Sequence, residues 1–359
     1  MEKNIKIVVS VAIVAILVVA GVGIAVMSNN STDGDLTVID GRGKEVTIPS
    51  FERIASTSAT VTEIICGLGS ISMLAGATND DNPYMVSESI IGIKNDGYPS
   101  NILKGFEDKT IKDIGGMYRI ASEAILTSNP DLVIMGGYFN DDNTIKSLED
   151  MGIPVVVCKN DHGLDEIYFN IALIGKVLGK EAEAKSLTDD MKGAIGKIVD
   201  WTKSLNVGSP KVAVFMGYGS EWGTYACGQT YIIGSPMITL LGGNNAYSSM
   251  AGMYEIVTTE SVIASNPSVI IDSSPMSKAN LDGIKTSTLT RDLDAAKADA
   301  IYATFDSCST AFTLTTQGFV NAVGLMAMFM YEDQLDFEID HYMGYDYMVY
   351  LNKFWNQIN

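Results

Sequence analysis

Gly116-Met117-Tyr118-Arg119-Ile120-Ala121-Ser122-Glu123-Ala124-Ile125-Leu126-Thr127-Ser128-Asn129-Pro130-Asp131-Leu132-Val133-Ile134-Met135 is the stretch that decides the fold, because the chain uses it twice. The second copy reads Gly252-Met253-Tyr254-Glu255-Ile256-Val257-Thr258-Thr259-Glu260-Ser261-Val262-Ile263-Ala264-Ser265-Asn266-Pro267-Ser268-Val269-Ile270-Ile271-Asp272. Both copies open on Gly-Met-Tyr, a charged residue and Ile, and the interval from Glu123 to Pro130 equals that from Glu260 to Pro267. The second copy carries one extra residue ahead of its Glu. Ser122 and Thr259 are expected to cap short helices, with each Glu in the first turn, where the macrodipole favours a carboxylate. Asn-Pro stops the helix, since a residue before proline avoids the α region. Buried strands follow, Leu132–Met135 and Val269–Ile271. Two such units with no tandem array between them predict two similar lobes rather than a solenoid.

Composition narrows the function. The 359 residues carry a formal net charge of −19, and only four of the 24 basic residues are Arg: Arg42, Arg53, Arg119 and Arg291. A nucleic-acid surface needs a basic stripe, which this chain lacks. Cys66, Cys158, Cys227 and Cys308 are far apart, without Cys-x-x-Cys or a Cys/His cluster, so a zinc site has no support. Two disulfides are possible in an oxidising compartment, but buried thiols are favoured in a chain too large to need staples. With only His162 and His341, a three-histidine metal site is ruled out.

At the N-terminus, Lys3 and Lys6 precede the uncharged run Ile7–Met27. That run suits a bilayer span of about 20 residues and exceeds the core of a cleaved signal. The basic flank puts the N-terminus inside and the remainder outside. An uncleaved anchor is preferred to a removed signal peptide, and no cysteine follows the run until Cys66. Further on, Leu36–Ile48 alternates around Asp40-Gly41-Arg42-Gly43, a hairpin signal. Ser58 or Thr60 is a cap for a helix through Ile64 and Leu68. Residues 79–113 read as a long irregular loop, a type that often carries function. Helices are expected over Thr144–Met151, from Leu164, over Glu181–Leu205, Ser235–Leu241 and Thr316–Met330, and strands at Met73–Ala77, Val155–Val157, Val212–Phe215 and Ala300–Phe305. Gly217–Gly228 reads as turn-rich, and 336–359 as helical.

Residues 36–331 resemble the class III substrate-binding proteins of ABC importers, which capture ferric siderophores, haem and cobalamin. The matching stretches are Thr37–Ile48 with Arg53-Ile54, Ser58-Ala59-Thr60-Val61-Thr62-Glu63-Ile64, the two Glu-to-Pro segments, Leu178-Gly179-Lys180-Glu181, and Leu241-Gly242-Gly243-Asn244-Asn245. The resemblance implies an α/β fold of two Rossmann-like lobes joined by a single long helix, with the ligand between them. It also implies that Glu123 and Glu260, one per lobe, dock onto arginines of the permease dimer, which works with an ATPase. The chain departs from the family in its apparent anchor, in its long 79–113 loop and in its tail after Met330. Six segments are expected: 1–27 as membrane anchor or signal, 28–35 as linker, 36–162 as N-terminal lobe, 163–206 as a helical connection including the interlobe helix, 207–331 as C-terminal lobe and 332–359 as a helical tail.

Ligands of open α/β lobes sit at loops after the carboxyl ends of strands. Tyr138-Phe139, the stretch from Tyr218 through Trp222 to Tyr225, Ser273-Ser274 and Asp306 fall there. The expected ligand residues are Tyr118, Arg119, Tyr138, Trp222, Tyr225 and Tyr254: aromatics for a large, partly apolar chelate, and Arg119 for its anionic oxygens. Each has a plainer reading, a packed aromatic or, for Arg119, an ion pair inside one lobe. The expected protein is a monomer without cofactor, holding a metal chelate: a ferric siderophore first, then a corrinoid, then haem. An enzyme handling such chelates is a remote alternative, because no Gly-x-Ser-x-Gly, phosphate loop or ligand cluster appears.

Overall fold

Asp40 shows how the first hairpin is tied to the body of the molecule. In the computed structural model, which describes residues 35–79, 89–92, 98–116, 120–137, 141–159, 163–274, 278–313 and 316–359, β1 (Leu36–Ile39) and β2 (Glu45–Ile48) pair antiparallel about that turn. The buried Asp40 carboxylate accepts from the backbone N–H groups of Arg42, Lys44 and Val157 and from the Arg42 guanidinium. Leu36–Asn359 forms one unit, whereas the apolar run Ile7–Met27 lies outside the described residues.

The first lobe is built from β3 (Ile54–Ser56), α1 (Ala59–Gly67), β4 (Leu74–Ala77), α2 (Ser100–Glu107), β5 (Lys112–Asp113), α3 (Ser122–Leu126), β6 (Leu132–Met135), α4 (Asp142–Asp150) and β7 (Val155–Val157). Its strands are all parallel, in the order β5-β4-β3-β6-β7. Every residue of β3, β4, β6 and β7 is buried, as a parallel sheet covered on both faces requires. Ser58 caps α1, its Oγ accepting from the Val61 N–H at 3.3 Å.

α5 (Leu164–Val177) and α6 (Glu181–Ser204) carry the chain onward. Leu187, Met191, Ile195 and Ile198 bury one stripe of α6, which packs on α5 and on two helices of the second half, Phe319–Met330 and Tyr347–Ile358. Its 24 residues span roughly 36 Å. The second lobe follows with β8 (Lys211–Ser220), β9 (Gly223–Cys227), α7 (Ser235–Leu240), β10 (Asn244–Asn245), β11 (Tyr254–Val257), α8 (Thr259–Ser265), β12 (Val269–Asp272), α9 (Lys278–Thr286), α10 (Asp294–Lys297), β13 (Ile301–Thr304), α11 (Asp306–Thr313), α12 (Phe319–Met330), β14 (Tyr342–Met343) and α13 (Tyr347–Ile358). Its sheet runs β11-β9-β8-β12-β13-β14, with β10 alongside β8. β8, β10, β12, β13 and β14 are parallel, whereas β9 lies antiparallel to β8 and β11. α12 is buried all round, which fits its place against α6, α7, β12 and α13. Among the described residues no helix is long and apolar enough to cross a membrane.

Four expectations are corrected. The 79–113 stretch is not wholly irregular: α2 buries Ile102, and Gly105 lacks the Cβ that would strike Ile111. Pro99 before it and Asn101 and Gly105 within it hid that helix in the sequence. Gly217–Gly228 is largely strand, the outer half of a long β8–β9 hairpin. The helix caps fall one residue early: Thr258, not Thr259, accepts the Ser261 N–H at 3.2 Å, and Ala121 holds the matching place without a side-chain bond. Lastly, the 336–359 tail contributes strand β14 before its helix α13.

Candidate functional site

Strand order reverses between β3 and β6 in the first sheet and between β8 and β12 in the second, and such switch points open a crevice at the carboxyl ends of strands. At the first, Thr57 and Ser58 leave β3, while Gly136 and Gly137 leave β6. The Gly136 N–H donates to Thr57 Oγ1 at 3.2 Å. A Cβ on Gly137 would stand 2.4 Å from the Lys159 backbone, so only glycine lets the loop after β6 lie this close to the one after β7. Tyr118, Arg119, Tyr138, Phe139 and His162 lie outside the described residues.

The second lobe places the remaining expected residues. Tyr225 on β9 and Tyr254 on β11 meet edge to face at 5.9 Å, and Tyr231 meets Tyr254 at 6.0 Å. Ile256 pairs in register with Tyr225 and is 61% exposed, so the edge of this sheet carries an open apolar face. Trp222, 69% exposed, stands at the tip of the β8–β9 hairpin. Tyr218 is not part of this face. It packs against Phe215, which in turn meets Tyr247, on the opposite side of the strands. The sequence reading missed Tyr231, which only the folding of 228–234 against β11 brings into reach.

Asp272, also missed, closes the second switch point. It is buried, and its carboxylate accepts from the N–H groups of Gly217, Tyr218 and Ser274. Burial raises its pKa, against the pull of those three bonds. Its sequence signal was a lone acid ending an apolar strand. Ser273 Oγ donates to the Phe215 carbonyl at 3.1 Å, and Asp306 is exposed beyond β13.

Glu123 and Glu260 are both exposed, each in the first turn of a helix that leads into the strand beside its lobe's switch point. Among the described residues neither carboxylate forms an ion pair. The pKa of Glu260 is lowered by its own backbone N–H and by the Thr258 hydroxyl. The four cysteines are buried as thiols, and burial raises Cys227 and Cys308. Among the described residues no group of His, Cys, Asp or Glu could hold a metal ion. A hollow of about 250 Å³ lined by Lys44, Val46, Glu149 and Pro154 sits at the amino end of β7, away from both crevices.

A parallel sheet and a mixed one, each with its own switch point and with α5 and the long α6 between them in the chain, define a substrate-binding protein of the class III type. The periplasmic binding protein family matches residues 54–307, and the chain belongs to it. As such it is a transport receptor of an ABC importer and not an enzyme. An uncharacterised ABC transporter substrate-binding lipoprotein of Bacillus subtilis is 24% identical over 276 residues, 74% of this chain and 77% of that protein. A cobalamin-binding protein of Halobacterium salinarum is 23% identical over 186 residues, 51% of this chain and 48% of that one. The periplasmic heme-binding protein of Roseiflexus superposes with a TM-score of 0.61 at 21% identity, over 79% of this chain and 99% of the other.

Proposed function

We propose that the protein is an extracytoplasmic receptor, anchored by residues 7–27, that captures a ferric siderophore between its lobes and delivers it to an ABC permease dimer with its ATPase. The observation that carries this reading is the open face of Tyr225, Tyr231, Tyr254 and Ile256 beside the exposed Trp222. Such a face suits a bulky ligand that is apolar over much of its surface. Arg119, within the repeated motif, is the cation expected to meet the oxygens of an anionic chelate. The anchor rests on the uncharged run behind Lys3 and Lys6, and the lipoprotein nature of the Bacillus relative agrees with a membrane-held receptor.

A corrinoid is the second reading, favoured by the likeness to the halobacterial cobalamin-binding protein. Haem ranks below it, since the heme-binding protein shares the fold alone. The test is a titration of the full-length protein in detergent with ferrichrome, cyanocobalamin and haemin, followed by tryptophan emission. Ferrichrome is expected to bind tightest. Saturable binding of cyanocobalamin with none of ferrichrome would replace the siderophore by the corrinoid.

A further inference from the structure

Asp272 lies where an open α/β sheet ordinarily leaves room for a ligand, at the switch point between β8 and β12. Its carboxylate accepts from Gly217 N at 2.9 Å, Tyr218 N at 2.7 Å and Ser274 N at 3.1 Å. Among the described residues no Lys or Arg pairs with it. A carboxylate in a core is costly unless each oxygen is well bonded, so a role that needs an acceptor at this place is called for. The role is visible in β8. Gly217 and Gly219 take φ of +80° and +63°, and the register with β9 slips between Met216 and Ser220. The slip takes the Gly217 and Tyr218 N–H groups out of the ladder, and Asp272 receives both.

Beyond this point the hairpin becomes an arm. It is stapled inside itself by the Gly219 N–H to Thr224 Oγ1 at 2.9 Å and by the Ser220 hydroxyl to the Gly223 carbonyl at 2.6 Å. It is held to α9 by Asn280 Nδ2, which donates to the Gly219 carbonyl at 3.0 Å. Trp222 stands at the tip and Tyr225 on the returning strand.

We infer that Asp272 is the positioning residue of this arm, fixing the angle at which the hairpin leaves the sheet and so presenting Trp222 and Tyr225 to the chelate. The inference rests on the reading of those two aromatics as ligand residues. A rigid arm keeps its apolar face in place before the ligand arrives, so less ordering is needed on binding.

The test uses the full-length chain, with ferrichrome, cyanocobalamin and haemin as probes. Asp272→Asn keeps the side-chain shape but sets an NH₂ among backbone donors. Hydrogen exchange over residues 216–223 is expected to quicken by at least about tenfold while the rest of the sheet is unchanged. Affinity for the bound probe should fall by about tenfold. Trp222→Ala should weaken binding in the wild type and add little in the Asp272→Asn background, because the arm is no longer aimed. Should Asp272→Asn not fold, Asn280→Ala, at the half-buried outer staple, is expected to give smaller changes of the same sign. Trp222→Ala weakening the probe while Asp272→Asn, or Asn280→Ala in its stead, alters neither exchange nor affinity overturns the inference alone. Fully additive losses would likewise make Asp272 a structural residue. Unchanged affinity in both Trp222→Ala and Tyr225→Ala, or no binding of any probe, defeats the ligand-site reading, and the inference falls with it.

Discussion

Glu332 shows how much one side chain can hold outside the ligand site. Tyr302 OH donates to its Oε2 at 2.6 Å, and His341 Nε2 lies 3.2 Å from its Oε1. The Tyr302 ring is stacked at 4.8 Å on Phe329 and meets His341 at 4.8 Å, so the acid ties the tail to β13 and α12. Burial alone would raise the Glu332 carboxyl, but the hydrogen bonds from His341 and Tyr302 outweigh it and hold its pKa below the ordinary 4.5. A depressed acid adds stability that is fully present above its unfolded pKa and is lost as pH falls through the folded one. Glu332→Gln should therefore melt below the wild type above pH 4.5, with the gap narrowing on further acidification. A gap of constant width in thermal melts across that range would show that the charge contributes nothing. None of this was legible in the sequence, where Tyr302 falls in the C-terminal lobe and Glu332 and His341 in the tail. The repeat, by contrast, singled out Glu123 and Glu260 at once, because a matched interval to proline is a local signal.

Elements were legible where periodicity was strong. Leu132–Met135, Val155–Val157 and the stripe of α6 fell where apolar runs and helical spacing put them. Elements failed where long-range pairing decides: β14 is two residues, and only its parallel register with Ala303 and Thr304 makes it a strand. The tail was expected to be helical, and its helix α13 is part of the core. Leu351 and Phe354 are fully buried, Leu351 fills the space that Gly324 leaves on α12, and Phe354 meets Trp201 of α6 edge to face at 4.9 Å. Leu351→Ala should then cost about 2–5 kcal/mol, as for other buried leucines. Urea unfolding with a loss under about 1 kcal/mol would mean that the tail merely rests on the surface.

At the scale of the whole molecule, the two sheets are held by more than the helix between them. Gln317 Nε2 donates to the Glu63 carbonyl of α1 at 2.7 Å, and the Ile90 N–H donates to Asn321 Oδ1 of α12 at 3.0 Å. One apolar cluster runs from Ile54 and Ile134 through α6 to Val214 and Ile271. A packed core of this kind resists hinge motion, so Glu123 and Glu260 are expected to keep a nearly fixed separation. Two fixed carboxylates, unpaired among the described residues, suit a partner that offers two cations at the same spacing, and engaging one raises the effective concentration of the other. If they dock onto permease arginines, Glu123→Lys with Glu260→Lys sets like charges across the interface, which costs several kcal/mol. Ligand affinity should hardly change, because both side chains are on the surface of their helices and Tyr225, Tyr231 and Tyr254 are untouched. The measurement is uptake by vesicles holding the permease and ATPase, beside probe binding by the same double variant. Uptake should be lost with binding kept, and each single reversal should lose less than the pair. Normal uptake by the double variant would remove both glutamates from the docking surface. Loss of uptake together with binding would place them at the ligand instead.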